Sequence, residues 1–293
     1  MDEKYIKECY NPNLHYSIHY SHGKIGANAI LNYLHYDNDL IIEYYRKGEA
    51  SIHIEGNLYN IADGDIVILN PDEVHVTTPK ENCYMEKIVF HLRDTLIYQF
   101  GGDRTLFFDT ISKKSKGIGN QIVAEKVKEL GIDQKIEQCL KYAKKNSLES
   151  QVLLTCKIVE LLSQVAKFVE KIDDTDRYSV SSNKTANQIM DYINRHYTEE
   201  ITLETLSEKF HFSKYYISHL FKDYVGVSPY DYLIARRLYV CNNLIRGKYT
   251  VRQACLMVGF NNYSNFYRLY KKHFKITPQQ FKEQLRSANS IVL

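Results

Sequence analysis

Apolar residues follow two different rhythms along this chain. From about residue 24 to residue 100 they come in short runs such as "DLIIEYYR", "ASIHIEG" and "DIVILN", cut by "KGE", "EGN", "DGD" and "NPDE". β-Branched and aromatic runs punctuated in this way predict many short antiparallel strands, the pattern of a barrel or sandwich. From about Gln121 to Ile172 the rhythm turns helical, with a weak point at Gly131. There Leu154, Ile158, Leu161, Val165, Phe168 and Ile172 step by four and three, which makes one apolar stripe along a helix. The stretch "DDTDRYSVSSNK", residues 173–184, is polar and has no period, so it reads as a linker.

Beyond Thr185 the spacing predicts helices near 185–197, 203–210, 214–225, 229–246, 251–258, 263–274 and 278–286. Pro229 and Pro278 each follow a Ser or Thr, which places proline at the first helical position behind an N-cap. Thr250 with Gln253 and Thr277 with Gln280 fit the capping box, and Gly226 and Gly247 sit where helices should stop.

The chain also repeats itself. Shifting "FNNYSNFYRLYKKHFKITPQQF" back by 49 positions lays Phe266 on Ile217, Leu269 on Leu220, Lys271 on Lys222 and Thr277-Pro278 on Ser228-Pro229. Upstream of the turn the offset is 48, with Thr250 on Thr202 and Phe260 on Phe212. Each copy is a short helix, a tight turn and a longer helix, the layout of a helix-turn-helix. Packing positions in the first copy are Leu203, Leu206, Phe210, Ile217, Leu220 and Phe221, which leaves Lys214, Tyr215, Ser218, His219 and Lys222 facing outward. In the second copy Val251, Ala254, Val258, Phe266, Leu269 and Tyr270 pack, leaving Tyr263, Ser264, Asn265, Tyr267, Arg268 and Lys271 outward, with Asn262 just ahead of them. Hydroxyls and amides followed by cations suit base edges and phosphates respectively. The helix from Pro229 to Arg246, about 26 Å long at ~1.5 Å per residue, would brace the two copies through Ile234, Leu238, Cys241 and Ile245. Major-groove segments on one side of B-DNA recur every ~34 Å, so the repeat would read two stretches of one site. A helical bundle with solvated charges would show the same stripes, but repeat, caps and charge agree on a double-stranded DNA reader.

The net charge of +3 hides a division. Residues 184–286 carry 16 Lys and Arg against 8 Asp and Glu, and the remainder is net acidic. A basic half on an acidic body points to a polyanion partner for that half alone. The six cysteines, at 9, 83, 139, 156, 241 and 255, lie far apart in sequence, which argues for a reduced cytoplasmic protein without a zinc module. No apolar run has membrane-spanning length, and "MDEKYIKECYNPN" lacks the apolar stretch expected of a signal peptide.

The stretches "ITLETLSEKFHFSKYYISHLFKDYVGVSPYDYLIARRL" and "VRQACLMVGFNNYSNFYRLYKKHFKITPQQFK" resemble the paired helix-turn-helix domain of AraC/XylS-type transcription regulators. The resemblance places base contacts on Tyr215, Ser218 and His219, and on Tyr263, Ser264, Asn265, Tyr267 and Arg268. His219 stands where the family often has arginine. "LIIEYYRKGEASIHIEGNLYNIADGDIVILNPDEVHV" is similar to the cupin-type sensor barrel often joined to that domain, and the helices after it would then serve dimerisation and signal transmission.

The expected fold is therefore α+β and two-domain. A cupin-like β-barrel followed by helices precedes an all-α domain with two helix-turn-helix units joined by a linker helix. Its parts are a ligand-sensing barrel at 1–110, a helical dimerisation and transmission segment at 111–172, a linker at 173–184 and the DNA-binding domain at 185–293. His35, Glu43, His75, Lys87 and His91 are the polar residues expected to meet a small-molecule effector, such as a sugar or another polar metabolite. The alternative from another class is a metal-dependent cupin enzyme using His35, Asp37, Glu43 and His75, but two of those spacings depart from the enzyme pattern. No catalytic residue, metal or cofactor is assigned. The expected partners are promoter DNA, the effector, a second copy of the chain, and RNA polymerase in the case of an activator.

Overall fold

The computed structural model of the chain describes residues 6–11, 16–24, 39–71, 73–80, 83–93, 96, 110–111, 114–145, 147–171, 181–247 and 249–289. It divides into two compact units, and the main boundary between them in sequence falls between Ser181 and Ser182.

The first unit is rich in strands: β1 (Ile6–Asn11), β2 (Tyr16–Lys24), β3 (Leu40–Lys47), β4 (Ala50–Ile54), β5 (Asn57–Ile61), β6 (Ile66–Leu69), β7 (His75–Pro79), β8 (Tyr84–Leu92) and β9 (Gln121–Ile122). One sheet runs β1-β2-β8-β3-β6-β9, and a second contains β5-β4-β7 in that order. The strands thus form two sheets, and among the described residues no hydrogen-bonded ring closes them into a barrel. Period-2 alternation decides what lies on each face of the first sheet. Leu40 and Ile42 of β3, Ile66 and Ile68 of β6, and Ile88, Phe90 and Leu92 of β8 join a core with helices α1 (Ala124–Glu129), α2 (Ile132–Ala143) and α3 (Leu148–Val169). The alternate residues Ile41, Tyr45, Val67, Leu69 and Met85 pack with Ala50, Ile52, Ile54, Tyr59 and Ile61 of the second sheet. The layers are helices, sheet, sheet.

The helical stretch expected from about Gln121, with its weak point at Gly131, comprises three helices. Gly131 takes a left-handed conformation at the start of α2, and Ser147 caps α3 by accepting from the Ser150 amide. Leu154, Ile158, Leu161 and Val165, the expected stripe, are buried against the first sheet. The stripe is consumed inside the chain; Ile172 lies outside the described residues.

The second unit holds α4 (Lys184–His196), α5 (Leu203–Phe210), α6 (Lys214–Val225), α7 (Pro229–Arg246), α8 (Val251–Met257), α9 (Tyr263–Phe274) and α10 (Pro278–Asn289). Capping boxes open α8 at Thr250/Gln253 and α10 at Thr277/Gln280. A third, Thr202 with Thr205, opens α5. Around the second helix-turn-helix, Val251, Ala254, Val258, Phe266 and Tyr270 form one core with Ile234, Leu238, Cys241 and Ile245 of α7. The α7 stripe therefore serves the second copy. The first copy meets α7 through Tyr232, whose ring lies 5.5 Å from Phe221 edge to face. Tyr232 also receives a hydrogen bond from Asn194 of α4 at 2.9 Å.

Candidate functional site

The two turns of the repeated unit show how one fold accepts two sequences. His211 ends α5 at φ 58°, and Gly259, its counterpart 48 residues later, is at φ 86°. The exits of the second helices match in the same way, with Gly226 at φ 83° after α6 and Lys275 at φ 61° after α9. Each corner demands left-handed backbone, and glycine supplies it once in each pair. The slippage between offsets lies after the aromatic residue of the turn. The first copy runs His211-Phe212-Ser213 into α6, while the second runs Gly259-Phe260-Asn261-Asn262 into α9.

Ser213 and Asn262 are the N-caps of α6 and α9, accepting from the Tyr216 and Asn265 amides. Behind these caps the apolar positions Ile217, Leu220, Phe221, Phe266 and Tyr270 are buried. Burial on that side turns the opposite face to solvent. On α6 this leaves Lys214, Tyr215, His219 and Lys222 exposed and Ser218 partly covered. Tyr215 is 75% exposed, and its ring lies 4.2 Å from that of His219. Lys214 is engaged in an ion pair with Glu204 of α5. On α9, Tyr263, Ser264, Tyr267, Arg268 and Lys271 are exposed and Asn265 is half-buried. Arg268 donates to the Asn265 side-chain oxygen at 2.9 Å. Two residues the sequence reading placed on or just ahead of the DNA-facing surface thus have local work. Asn262 caps a helix and Lys214 is paired within its own unit. Such a surface offers hydroxyl, amide and cationic groups on one side of each helix.

The second candidate site lies between the two sheets. Glu43 is buried there, receiving Lys87 Nζ at 2.8 Å and the Tyr45 hydroxyl at 2.7 Å. Lys87 also sits 5.4 Å from the centre of the Tyr45 ring, its cross-strand neighbour. Burial alone would raise the Glu43 pKa. The Lys87 ammonium and its hydrogen bond outweigh that, and His75 and the Tyr45 hydroxyl help hold the carboxyl at about 2. His75 is buried, with Nδ1 3.1 Å from the Glu73 carbonyl oxygen. Burial lowers its pKa, against the opposing pull of the Glu43 charge. The structure therefore brings Glu43, His75 and Lys87 together. His91 shares the strand face of Lys87 but packs edge-on against His19, with ring centres 5.1 Å apart. His35 and Asp37 lie outside the described residues.

Beside this cluster sits a residue that sequence reasoning passed over. Glu73 is buried and accepts four hydrogen bonds: from the Asn70 amide at 2.7 Å, the Gly117 amide at 2.9 Å, Asn120 Nδ2 at 2.8 Å and Lys114 Nζ at 2.6 Å. It pins residues 114–120 to the turn before β7. Its signal was an acidic residue inside "NPDEVH", which reads equally well as a solvated turn. Among the described residues no three His, Cys, Asp or Glu side chains are grouped to hold a metal ion, and no helix is long and apolar enough to cross a membrane.

Comparison with known proteins divides the chain in the same sense. Residues 32–154 match the family described as AraC-like ligand binding domain, and residues 206–284 match a helix-turn-helix domain family. An uncharacterised HTH-type transcriptional regulator of Escherichia coli (strain K12), YdiP, is 24% identical over 261 residues, covering 86% of this chain and 81% of that protein. The uncharacterised HTH-type regulator SACOL0084 of Staphylococcus aureus (strain COL) is 25% identical over 252 residues, covering 84% of this chain; the match spans only 31% of that relative's length. Among solved structures, ToxT from Vibrio cholerae is 14% identical, covering 90% of this chain and 97% of that one, with a TM-score of 0.41.

Proposed function

Because this chain belongs to the AraC-type transcription regulators, with a ligand-binding domain ahead of its helix-turn-helix domain, we propose that α6 and α9 are its two DNA-reading helices and that the polar cluster between its sheets meets the effector. The observation that carries this is the duplicated unit, whose second helix in each copy starts at a side-chain cap and leaves its polar face in solvent. Lys222 and Lys271, equivalent positions in the two copies, neutralise phosphates. Tyr215, Ser218, His219, Tyr263, Ser264, Tyr267 and Arg268 face the bases, and Arg268 suits guanine. Glu43, His75, Lys87 and His91, with His35 on the strength of resemblance, contact a polar small molecule rich in hydrogen-bonding groups. Such an effector must favour one arrangement of the chain over another, or it shifts nothing. Residues 111–172 form the dimerisation and transmission segment, 173–184 the linker, and RNA polymerase is a partner where the chain activates. The chain works in the cytoplasm as a homodimer. The metal-enzyme alternative has less support, since Glu43 is already committed to Lys87 and Tyr45.

The test is a map of where the full chain binds across its own genome. Discrete peaks sharing a motif are expected, and their neighbouring genes would nominate metabolites for binding assays. Occupancy spread evenly along the chromosome would overturn the reading.

A further inference from the structure

The two reading helices share a layout but hold their outward residues by different means. At the 49-residue offset, Arg268 stands where the first copy has His219, and Asn265 stands where it has Tyr216. In α9 the Asn262 side chain accepts the Asn265 amide at 2.9 Å, fixing the first turn. The Asn265 carboxamide oxygen accepts from the Arg268 guanidinium, also at 2.9 Å. A chain of two bonds therefore runs from the cap to the guanidinium. An arginine that is free in solvent must freeze several torsions to set its planar fork on a base, and one already tied freezes fewer.

Among the described residues, no equivalent chain of hydrogen bonds runs along α6. Tyr216 packs its ring 4.8 Å from that of Phe212, the Tyr215 ring lies beside that of His219, and Lys214 is held by Glu204. The first copy thus presents an aromatic plate, which suits apolar contact such as the methyl group of thymine.

We propose that Asn265 is a positioning residue that aims Arg268 at a guanine, so that guanine discrimination belongs to the second copy while the first contributes aromatic contact. This rests on the assignment of α9 as a DNA-reading helix. Asn265 itself, with its oxygen given to Arg268, makes no base contact.

The experiment uses the full chain to select from a library of random duplexes, followed by competition with single-base variants of the enriched motif. Wild type is expected to enrich a motif with one fixed guanine. Arg268→Ala should lose preference at that base pair alone. Asn265→Ala should keep the motif but weaken the guanine preference about threefold to tenfold, with other positions and the salt dependence unchanged. Asn265→Asp, which keeps an acceptor at the same place, should retain the guanine preference while binding all duplexes more weakly through its charge. The proposal is overturned if Asn265→Ala changes a different base pair, lowers affinity equally at every position, or leaves the guanine preference intact. Loss of that preference in Asn265→Asp as complete as in Asn265→Ala would overturn it too. If wild type enriches no motif at all, the assignment of α9 fails, and this proposal with it.

Discussion

Replacing Lys87 with methionine keeps most of the side chain's bulk and removes the only cation hydrogen-bonded to Glu43 among the described residues. The carboxyl titrates at about 2 in the fold against an ordinary 4.5. A folded pKa below the unfolded one means that the stabilisation is fully present above about 4.5 and drains away as pH falls toward about 2. A gap of this size corresponds to about 3 kcal/mol, which agrees with the range for stripping one partner from a buried ion pair. In Lys87→Met burial, the largest single influence on this carboxyl, loses its main opponent, so the Glu43 pKa would rise. The variant should therefore be less stable than wild type by about 3 kcal/mol near pH 7.5. The deficit should shrink toward about pH 5 as Glu43 takes up a proton. Hydrogen exchange of peptides covering β3 and β8, measured along a urea series at both pH values, reports this unit separately from the helical one. Adding Glu43→Gln to the variant should recover most of the loss at the higher pH. A deficit of the same size at both pH values would refute the electrostatic account, and so would a variant as stable as wild type.

Gly259→Ala should cost the helical unit more than about 2 kcal/mol, because the added Cβ would lie 2.4 Å from the Thr198 carbonyl oxygen on left-handed backbone. Urea unfolding of the full chain followed by far-UV circular dichroism would show it, and an unchanged midpoint would contradict the turn geometry. Lys275→Gly relieves the same left-handed backbone requirement, so stability should rise by about 1 kcal/mol in that assay. Lys271→Ala should weaken binding to every duplex and flatten the log–log salt slope by about 0.9; an unaltered slope excludes a phosphate contact there.

The helical half was legible nearly residue by residue because its signals are local. Caps at Thr250, Thr277 and Ser228 and the apolar spacing of Ile217, Leu220 and Phe221 all act within a few residues of where they are read. The Thr202 capping box escaped because its third position carries Thr205 where Glu or Gln was sought. In the sheet half, strand runs and face alternation could be read, and so could Lys87 and His91 on one face. What could not be read was which distant residue each would meet. Glu43 and Lys87 are 44 positions apart and are brought together by strand register, while Glu73 meets Gly117 across the same span through two packed turns. Periodicity likewise showed that Leu154, Ile158 and Leu161 would be covered, but it carries no address for the covering surface, which proved to be the first sheet.

The single residue by which the second turn outgrows the first, Asn261, has a bearing on how a promoter is organised. With α6 and α9 as the proposed readers, two tandem copies with unlike outer residues would give the protein a front and a back along the double helix. A palindrome offers no such polarity. One chain alone would therefore tell upstream from downstream, and reversing its binding sequence in place would turn the bound regulator around. Orientation, as well as spacing, then becomes part of what the promoter encodes.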